Sequence, residues 1–325
     1  MNLETDRSAL EAVKTGVALC DRSHWGCIEV TDADRLTFLH NQSTNTFKLR
    51  QPGEGCDTTF VTSTARTLDL ATAYILEDAV LLTVSPELAT KIMQFLDRYI
   101  FFADKVKLTD VTEQTALLTL MGPASFALLQ PWGIDLADRP YGTHQAASIA
   151  NCSVRVAVGS GLASPGVTLW MATCDRSTVY DALVAAGAVP LSDAGWERLR
   201  IEQGRPAPGH ELTEDYNPLE AGLWQTISFN KGCYIGQETI ARLETYKGVK
   251  LNLWGVQLSQ WVELHTPVLL GADKIGSVTS LVATESGYVG LVYIRTKAGG
   301  AGLMVNIAGQ DTPLQDLPFL TRDRL

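Results

Sequence analysis

Apolar positions along this chain recur with two spacings, and their texture changes near Lys250. Before that point, short strand-like runs are interleaved with runs of helical period. Ser8-Ala9-Leu10-Glu11 has capping-box spacing and predicts the opening of a short helix. Residues 25–30 read as a strand, and Thr31 and Asp32 are placed to cap a helix carrying Leu36, Phe38 and Leu39. Strand-like runs follow at 58–62, 68–76 and 80–84. Ser85-Pro86-Glu87 predicts a helix start with proline in its first turn, reaching Tyr99 with Ile92, Phe95 and Leu96 on one face. The alternation continues with strands near 105–111 and 114–120, a helix near 123–130, strands near 153–158 and 167–173, and a helix over 176–187. Ser192 then caps a helix that passes Trp196, Leu199 and Ile201 and ends near Gly204. Hairpins mixed with helices in this way predict an α+β body and not a doubly wound parallel sheet.

Beyond Lys250 the helical period disappears. Strand-like runs at 251–258, 267–270, 274–282 and 287–294 are separated by Gly, Pro and polar turns, which predicts a small all-β domain of barrel type. The tail 309–325 reads as extended. The expected domains are 1–110, an N-terminal α+β lobe; 111–245, a second α+β lobe; and 246–325, a β-barrel.

Composition narrows the function classes. Hydrophobic residues make up 46% and charged residues 19%, which suits a globular core of this size. The net charge of −10, with no basic stripe, weighs against a duplex nucleic acid as main partner. Met1-Asn2-Leu3-Glu4-Thr5-Asp6-Arg7 lacks the features of a signal peptide, and the apolar stretches are short or broken by Gly122 and Pro123, so a soluble, membrane-free protein is expected. The six cysteines are too few for a disulfide framework, and all except Cys233 are expected to be reduced and mostly buried. Cys20, His24 and Cys27 lack the fourth ligand of a structural zinc site, and no metal is expected.

The chemistry concentrates in residues 231–238, Lys-Gly-Cys-Tyr-Ile-Gly-Gln-Glu. Gly232 and Gly236 bracket Cys233 and let the backbone turn tightly. Residues 237–243 read as helical, which puts Cys233 just before a helix N-terminus and two residues from Lys231. Both are features of a nucleophilic cysteine, although a Gly-rich turn with an inert thiol has the same local pattern.

This motif resembles the signature of the YgfZ family within the glycine-cleavage T-protein (aminomethyltransferase) superfamily. Arg200-Ile201-Glu202-Gln203-Gly204-Arg205-Pro206, Asn217-Pro218-Leu219-Glu220-Ala221-Gly222-Leu223 and Phe38-Leu39-His40-Asn41-Gln42-Ser43-Thr44-Asn45 resemble three further superfamily segments, with Asn41 replacing a usual glycine. The resemblance implies a three-lobed cloverleaf of two α+β lobes and a C-terminal β-barrel lobe, binding tetrahydrofolate or a one-carbon derivative. It implies an accessory role in the maturation or maintenance of iron–sulfur enzymes, some of which modify tRNA, with Cys233 functionally important. Reduced folate and iron–sulfur client or assembly proteins are the implied partners, with any tRNA contact indirect. A monomer in the cytoplasm, or in an organelle after processing, is expected.

Glu202 holds the superfamily's pterin-contacting position. The p-aminobenzoyl ring calls for an apolar wall, for which Tyr234 and Trp224 are candidates, and the glutamate tail calls for cations, for which Arg242, Lys247 and Arg66 are candidates. Gln237 completes the cofactor-side set, and Lys231, Cys233 and Asp69 form the catalytic set. T-proteins carry an Asp-Asp pair where this chain reads Ala65-Arg66-Thr67-Leu68-Asp69-Leu70, so only Asp69 remains. That departure weighs against aminomethyl transfer of the T-protein type. The alternatives are a folate-dependent aminomethyl or one-carbon transferase and, on the superfamily's wider range, a tRNA-binding module.

Overall fold

The computed structural model describes residues 3–324, with side chains from residue 6 onward. Helix α1 (Leu3–Thr15) leads into β1 (Ala18–Asp21), β2 (Gly26–Thr31) and α2 (Arg35–Gln42). Next come β3 (Gly55–Val61), β4 (Thr67–Ile75), β5 (Ala79–Val84), α3 (Ala89–Asp97), β6 (Lys107–Asp110), β7 (Thr115–Met121) and α4 (Ser125–Leu129). They are followed by β8 (His144–Ile149), β9 (Cys152–Val158), β10 (Gly166–Ala172), α5 (Arg176–Ala185), β11 (Val189–Leu191), α6 (Asp193–Gln203) and α7 (Gln237–Thr245). The last strands are β12 (Leu251–Leu258), β13 (Pro267–Leu270), β14 (Asp273–Thr284), β15 (Gly287–Arg295), β16 (Met304–Ile307) and β17 (Gln310–Pro313).

Three helix starts differ from the sequence expectation, each for a local reason. Helix α1 begins ahead of Ser8, because Asp6 accepts bonds from the Ser192 amide at 2.9 Å and its hydroxyl at 2.5 Å, which anchors the earlier turn. Helix α2 starts after Asp34 because Asp32 has φ 74°, and α3 starts after Leu88 because Glu87 has φ 64°. A residue in the left-handed region ends any helical run through it, so neither Asp32 nor Pro86 opens a helix.

The chain divides into two compact units, one of Met1–Phe60 and Asp69–Trp196, the other of Val61–Leu68 and Glu197–Leu325. The first unit holds two sheets, ordered β3-β4-β5-β2-β6 and β11-β1-β7-β10-β9-β8. Strands β1 and β11 pair in parallel, and the other ladders described in these sheets are antiparallel. Val154, Val156, Leu169 and Met171 of β9 and β10 meet Val179 and Leu183 of α5 in one buried cluster. The α+β expectation therefore holds.

In the second unit, β12-β15-β14-β13-β16-β17 form one antiparallel sheet around Val256, Val268, Val278, Val292 and Ile307. The sheet curls on itself: Gly255 of β12 exchanges two backbone bonds with Gln315, just past β17, at 3.0 and 2.9 Å. The barrel-like C-terminal region is thus present, and it includes β16 and β17, which the apolar pattern did not mark.

Candidate functional site

The 231–238 segment takes its shape from Gly236. It caps α7 with φ 79°, and a Cβ there would lie 2.9 Å from the Thr62 carbonyl oxygen and 3.1 Å from the Ala65 Cα. The facing turn is itself tight: the Thr62 amide donates to Arg66 O at 2.8 Å, the Ala65 amide donates to Thr62 O at 2.9 Å, and Ala65 has φ 61°. A side chain at 236 would push motif and turn apart, so only glycine satisfies both the dihedral and the approach. Ala65, Leu219, Trp224, Ile227, Tyr234 and Ile240 close the buried cluster beneath.

On this base the motif presents its polar groups unequally. Cys233 is exposed, and Gly232 has open space around it. The Lys231 ammonium sits 4.5 Å from the centroid of the Tyr234 ring, a cation–π contact. Tyr234 is buried, and burial raises its phenol well above the ordinary value. Trp224 is buried too, with its indole N–H donating to Leu219 O at 3.2 Å. Both aromatic candidates therefore pack in the cluster. The Gln237 amide donates to Tyr234 O at 3.2 Å, which fixes the motif to the first turn of α7. Arg242 lies exposed on the same helix.

Arg66 leaves the facing turn and donates to Asp215 O at 2.7 Å. Its charge also acts on Glu220, whose carboxyl is nevertheless raised because burial outweighs the Asn217 amide and the Arg66 cation. Asn217 and Glu220 brace each other. The Asn217 side-chain oxygen accepts from the Leu219 and Glu220 amides at 3.0 and 3.1 Å, and the Glu220 carboxylate accepts from the Asn217 amide at 3.1 Å.

Glu202 stands on α6, half-buried, with Arg198 Nε donating to its Oε1 at 2.7 Å. Arg198 also grips Glu285 through two bonds of 2.8 and 2.7 Å. The same turn of α6 carries a buried ion pair that the sequence reading missed: Arg200 Nη1 lies 3.0 Å from Glu211 Oε2, with Arg200 2% and Glu211 0% exposed, and Glu197 accepts from Arg200 Nε at 2.9 Å. Glu211 further accepts from Thr279 and Ser280 of β14 at 2.6 and 2.7 Å. The only sequence sign was an arginine two residues before Glu202, which has the pattern of an ordinary exposed helix charge.

The remaining candidate, Asp69, belongs to the first unit. It is fully buried on β4, accepting from the Ser85 amide at 2.8 Å and the Ser85 hydroxyl at 2.6 Å. Leu70 beside it is buried as well. Asp69 therefore braces the chain just after β5.

The thiols differ from expectation in two places. Cys20, Cys27 and Cys56 are buried, and burial pushes the first two up to about 12. Cys174 is exposed and Cys152 partly so. Cys152 is the first residue of β9, and Cys174 lies in the 3-10 turn Thr173–Asp175 that follows β10. Among the described residues, no group of three or more His, Cys, Asp or Glu side chains is placed to hold a metal ion.

Residues 4–231 match the GCVT N-terminal domain family. Over 326 aligned residues the chain is 45% identical to a chloroplastic protein of Arabidopsis thaliana that carries the name "putative transferase", covering 99% of this chain and 75% of that protein. It is 31% identical to the aminomethyltransferase of Synechococcus elongatus over 64% of this chain and 58% of that protein. The crystal structure of the glycine cleavage system aminomethyltransferase T from Bartonella henselae superposes with a TM-score of 0.83 at 19% identity, covering 98% of this chain and 90% of that one. The fold is that of this aminomethyltransferase.

Proposed function

This chain belongs to the GCVT-domain family of the aminomethyltransferase superfamily, and on that premise we propose that it is a tetrahydrofolate-dependent transferase handling a one-carbon unit. The observation that carries the reading is the site around the Gly236 contact, where the motif, the Arg66 turn and the Asn217–Glu220 brace share one buried cluster. Folate supplies the one-carbon carrier, and the chain's own groups supply its grip. Glu202 fits the pterin edge: Arg198 occupies one side of its carboxylate, and the half-buried group keeps acceptor capacity for N–H donors. Arg242 is exposed and Arg66 half-exposed, which suits the carboxylates of a glutamate tail. The names of the Arabidopsis and Synechococcus relatives support a transferase. The Arabidopsis name also supports an organelle as the compartment.

A second reading rests on a different observation. Cys233 is exposed while Asp69, the remainder of the acid pair, is sealed against Ser85. An exposed thiol is available to a partner, and a sealed carboxylate is poorly placed for proton transfer. This favours the YgfZ-type role, a folate-bound accessory to iron–sulfur enzymes with Cys233 as working thiol.

One assay separates the two. The full chain is incubated with tetrahydrofolate and the other glycine-cleavage components, and ammonia is measured. Ammonia released at a rate proportional to this chain supports the transferase in its T-protein form. Tetrahydrofolate binding without ammonia removes that form and leaves a different one-carbon acceptor or the accessory role, of which only the accessory role requires Cys233.

A further inference from the structure

We propose that the loop between α3 and β6 is a docking tip for an anionic lipid surface, with Phe101 and Phe102 entering the headgroup layer and the surrounding cations meeting its charge. Phe101 is 71% exposed and Phe102 fully so. A single exposed apolar side chain is ordinary, but two adjacent phenyl rings left in water mark a surface that meets a partner.

The exposure is built into the loop. The Phe101 amide donates to Asp104 Oδ2 at 2.8 Å and the Asp104 amide to Phe101 O at 2.9 Å, which closes a turn carrying both rings. The neck of the turn is tied to the start of α2: the Lys105 amide donates to Asp34 Oδ2 and the Asp34 amide to Lys105 O, each at 2.9 Å. A turn fixed at tip and neck holds its rings away from the core, so only an outside surface removes them from water.

The charges give the sign of that surface. Residues 91–107 carry four exposed cations, Lys91, Arg98, Lys105 and Lys107, against two acids, Asp97 and Asp104. Among the described residues, none of these cations is in an ion pair, whereas Asp104 is engaged with the Phe101 amide. The chain as a whole carries −10, yet salt screens charges beyond about 8–10 Å. The local surplus therefore governs what the tip touches, and it suits an anionic surface.

The shape selects lipid over an acidic protein. Two protruding side chains fall far short of the roughly 800 Å² per partner that a stable protein interface buries, whereas a fluid headgroup layer closes around an aromatic tip of any outline. The contact is peripheral: among the described residues, no helix is long and apolar enough to cross a membrane. The membrane-free expectation from sequence rests on the lack of a leader and of a spanning run, and a single surface loop leaves no mark on either. The tip belongs to the first unit, and its test does not depend on the folate reading.

The full chain is mixed with vesicles of phosphatidylcholine, alone or with phosphatidylglycerol added, and the bound fraction is read by flotation at low and high salt. The expected result is reversible binding to the phosphatidylglycerol vesicles that weakens with salt, and little binding to phosphatidylcholine alone. Replacing both rings, Phe101→Ala with Phe102→Ala, should lower the partition coefficient about tenfold or more. Lys105→Ala and Lys107→Ala should each lower it roughly fivefold, the factor for one cation near an anionic surface. All four side chains are exposed, so the variants should keep the urea midpoint of the natural chain. No binding to phosphatidylglycerol vesicles, or binding that the double phenylalanine variant leaves unchanged, would overturn the proposal. Binding of soluble polyglutamate in place of vesicles, lost in the lysine variants, would also overturn it and assign the tip to an acidic protein.

Discussion

His144 shows how much of this molecule is decided at single side chains. It is 4% exposed, with ring centroids 5.7 Å from Tyr74 and 5.4 Å from Trp170. Arg155 Nη1 lies 3.1 Å from its Nδ1, and since a guanidinium can only donate, Nδ1 must accept. Burial first, then the Arg155 charge, lower the imidazole from 6.5 to about 4. Between these values the unfolded chain binds a proton that the folded chain refuses, so stability is fully present above pH 6.5 and declines as pH falls toward 4. Urea unfolding across this range should show a loss of about 3 kcal/mol from this group, and His144→Gln should flatten that part of the profile. An unchanged slope in the variant would mean His144 titrates normally. Nothing near position 144 in the sequence announced this. The 144–149 run mixes His, Gln, Ala and Ser, and the histidine is buried only because the Tyr74 and Trp170 rings close over it. Asp69 was visible in sequence as an acid at a superfamily position, but its seal by Ser85 is a tertiary fact.

At the scale of elements, two joints in the second unit carry unusual weight. The first is Gly236 against the 62–66 turn. Gly236→Ala adds a Cβ at φ 79° and 2.9 Å from a carbonyl oxygen, a strain of about 1–3 kcal/mol. Hydrogen exchange should speed up in both α7 and the 62–66 turn, since the contact serves both. Faster exchange in α7 alone would show that the turn does not depend on it. The second joint is Arg200–Glu211. Glu211→Ala leaves the buried guanidinium with Glu197 as its remaining carboxylate and removes the acceptor for Thr279 and Ser280. The cost should be about 3–5 kcal/mol, read as a lowered denaturant midpoint, and a loss under 1 kcal/mol would contradict the buried pair. Most elements were legible because their apolar period is plain, as in β5 and β12. The starts of α2 and α3 were not, since a left-handed Asp32 or Glu87 leaves no mark in hydrophobicity. Strands β16 and β17 are only four residues each; β17 falls in the 309–325 stretch that reads as an extended tail, and β16 carries no mark in the apolar pattern.

At the scale of the whole molecule, the superfamily was legible because its marks are runs of specified residue types, at 38–45, 200–206 and 217–223. The same runs could not say which residues meet. Residues 61–68 group with 197–325 and not with their chain neighbours, and Ala65 shares one buried cluster with Leu219, Tyr234 and Ile240. The aromatic candidates Tyr234 and Trp224 turned out to be cluster residues, while Glu202, Arg242 and Arg66 kept accessible charge. On the proposed function, these charged groups hold a reduced folate. Calorimetric titration of the full chain with tetrahydrofolate tests it most directly, with Glu202→Ala alongside. The variant should fold, since the Arg198–Glu202 contact is a helix-surface pair worth about 0.3–0.5 kcal/mol. Saturable one-to-one binding by the natural chain is expected, weakened roughly 30- to 100-fold in the variant by loss of a charged contact of about 2–3 kcal/mol. Saturable binding that Glu202→Ala leaves unchanged would remove Glu202 from the site, and no binding by the natural chain would contradict the claim itself.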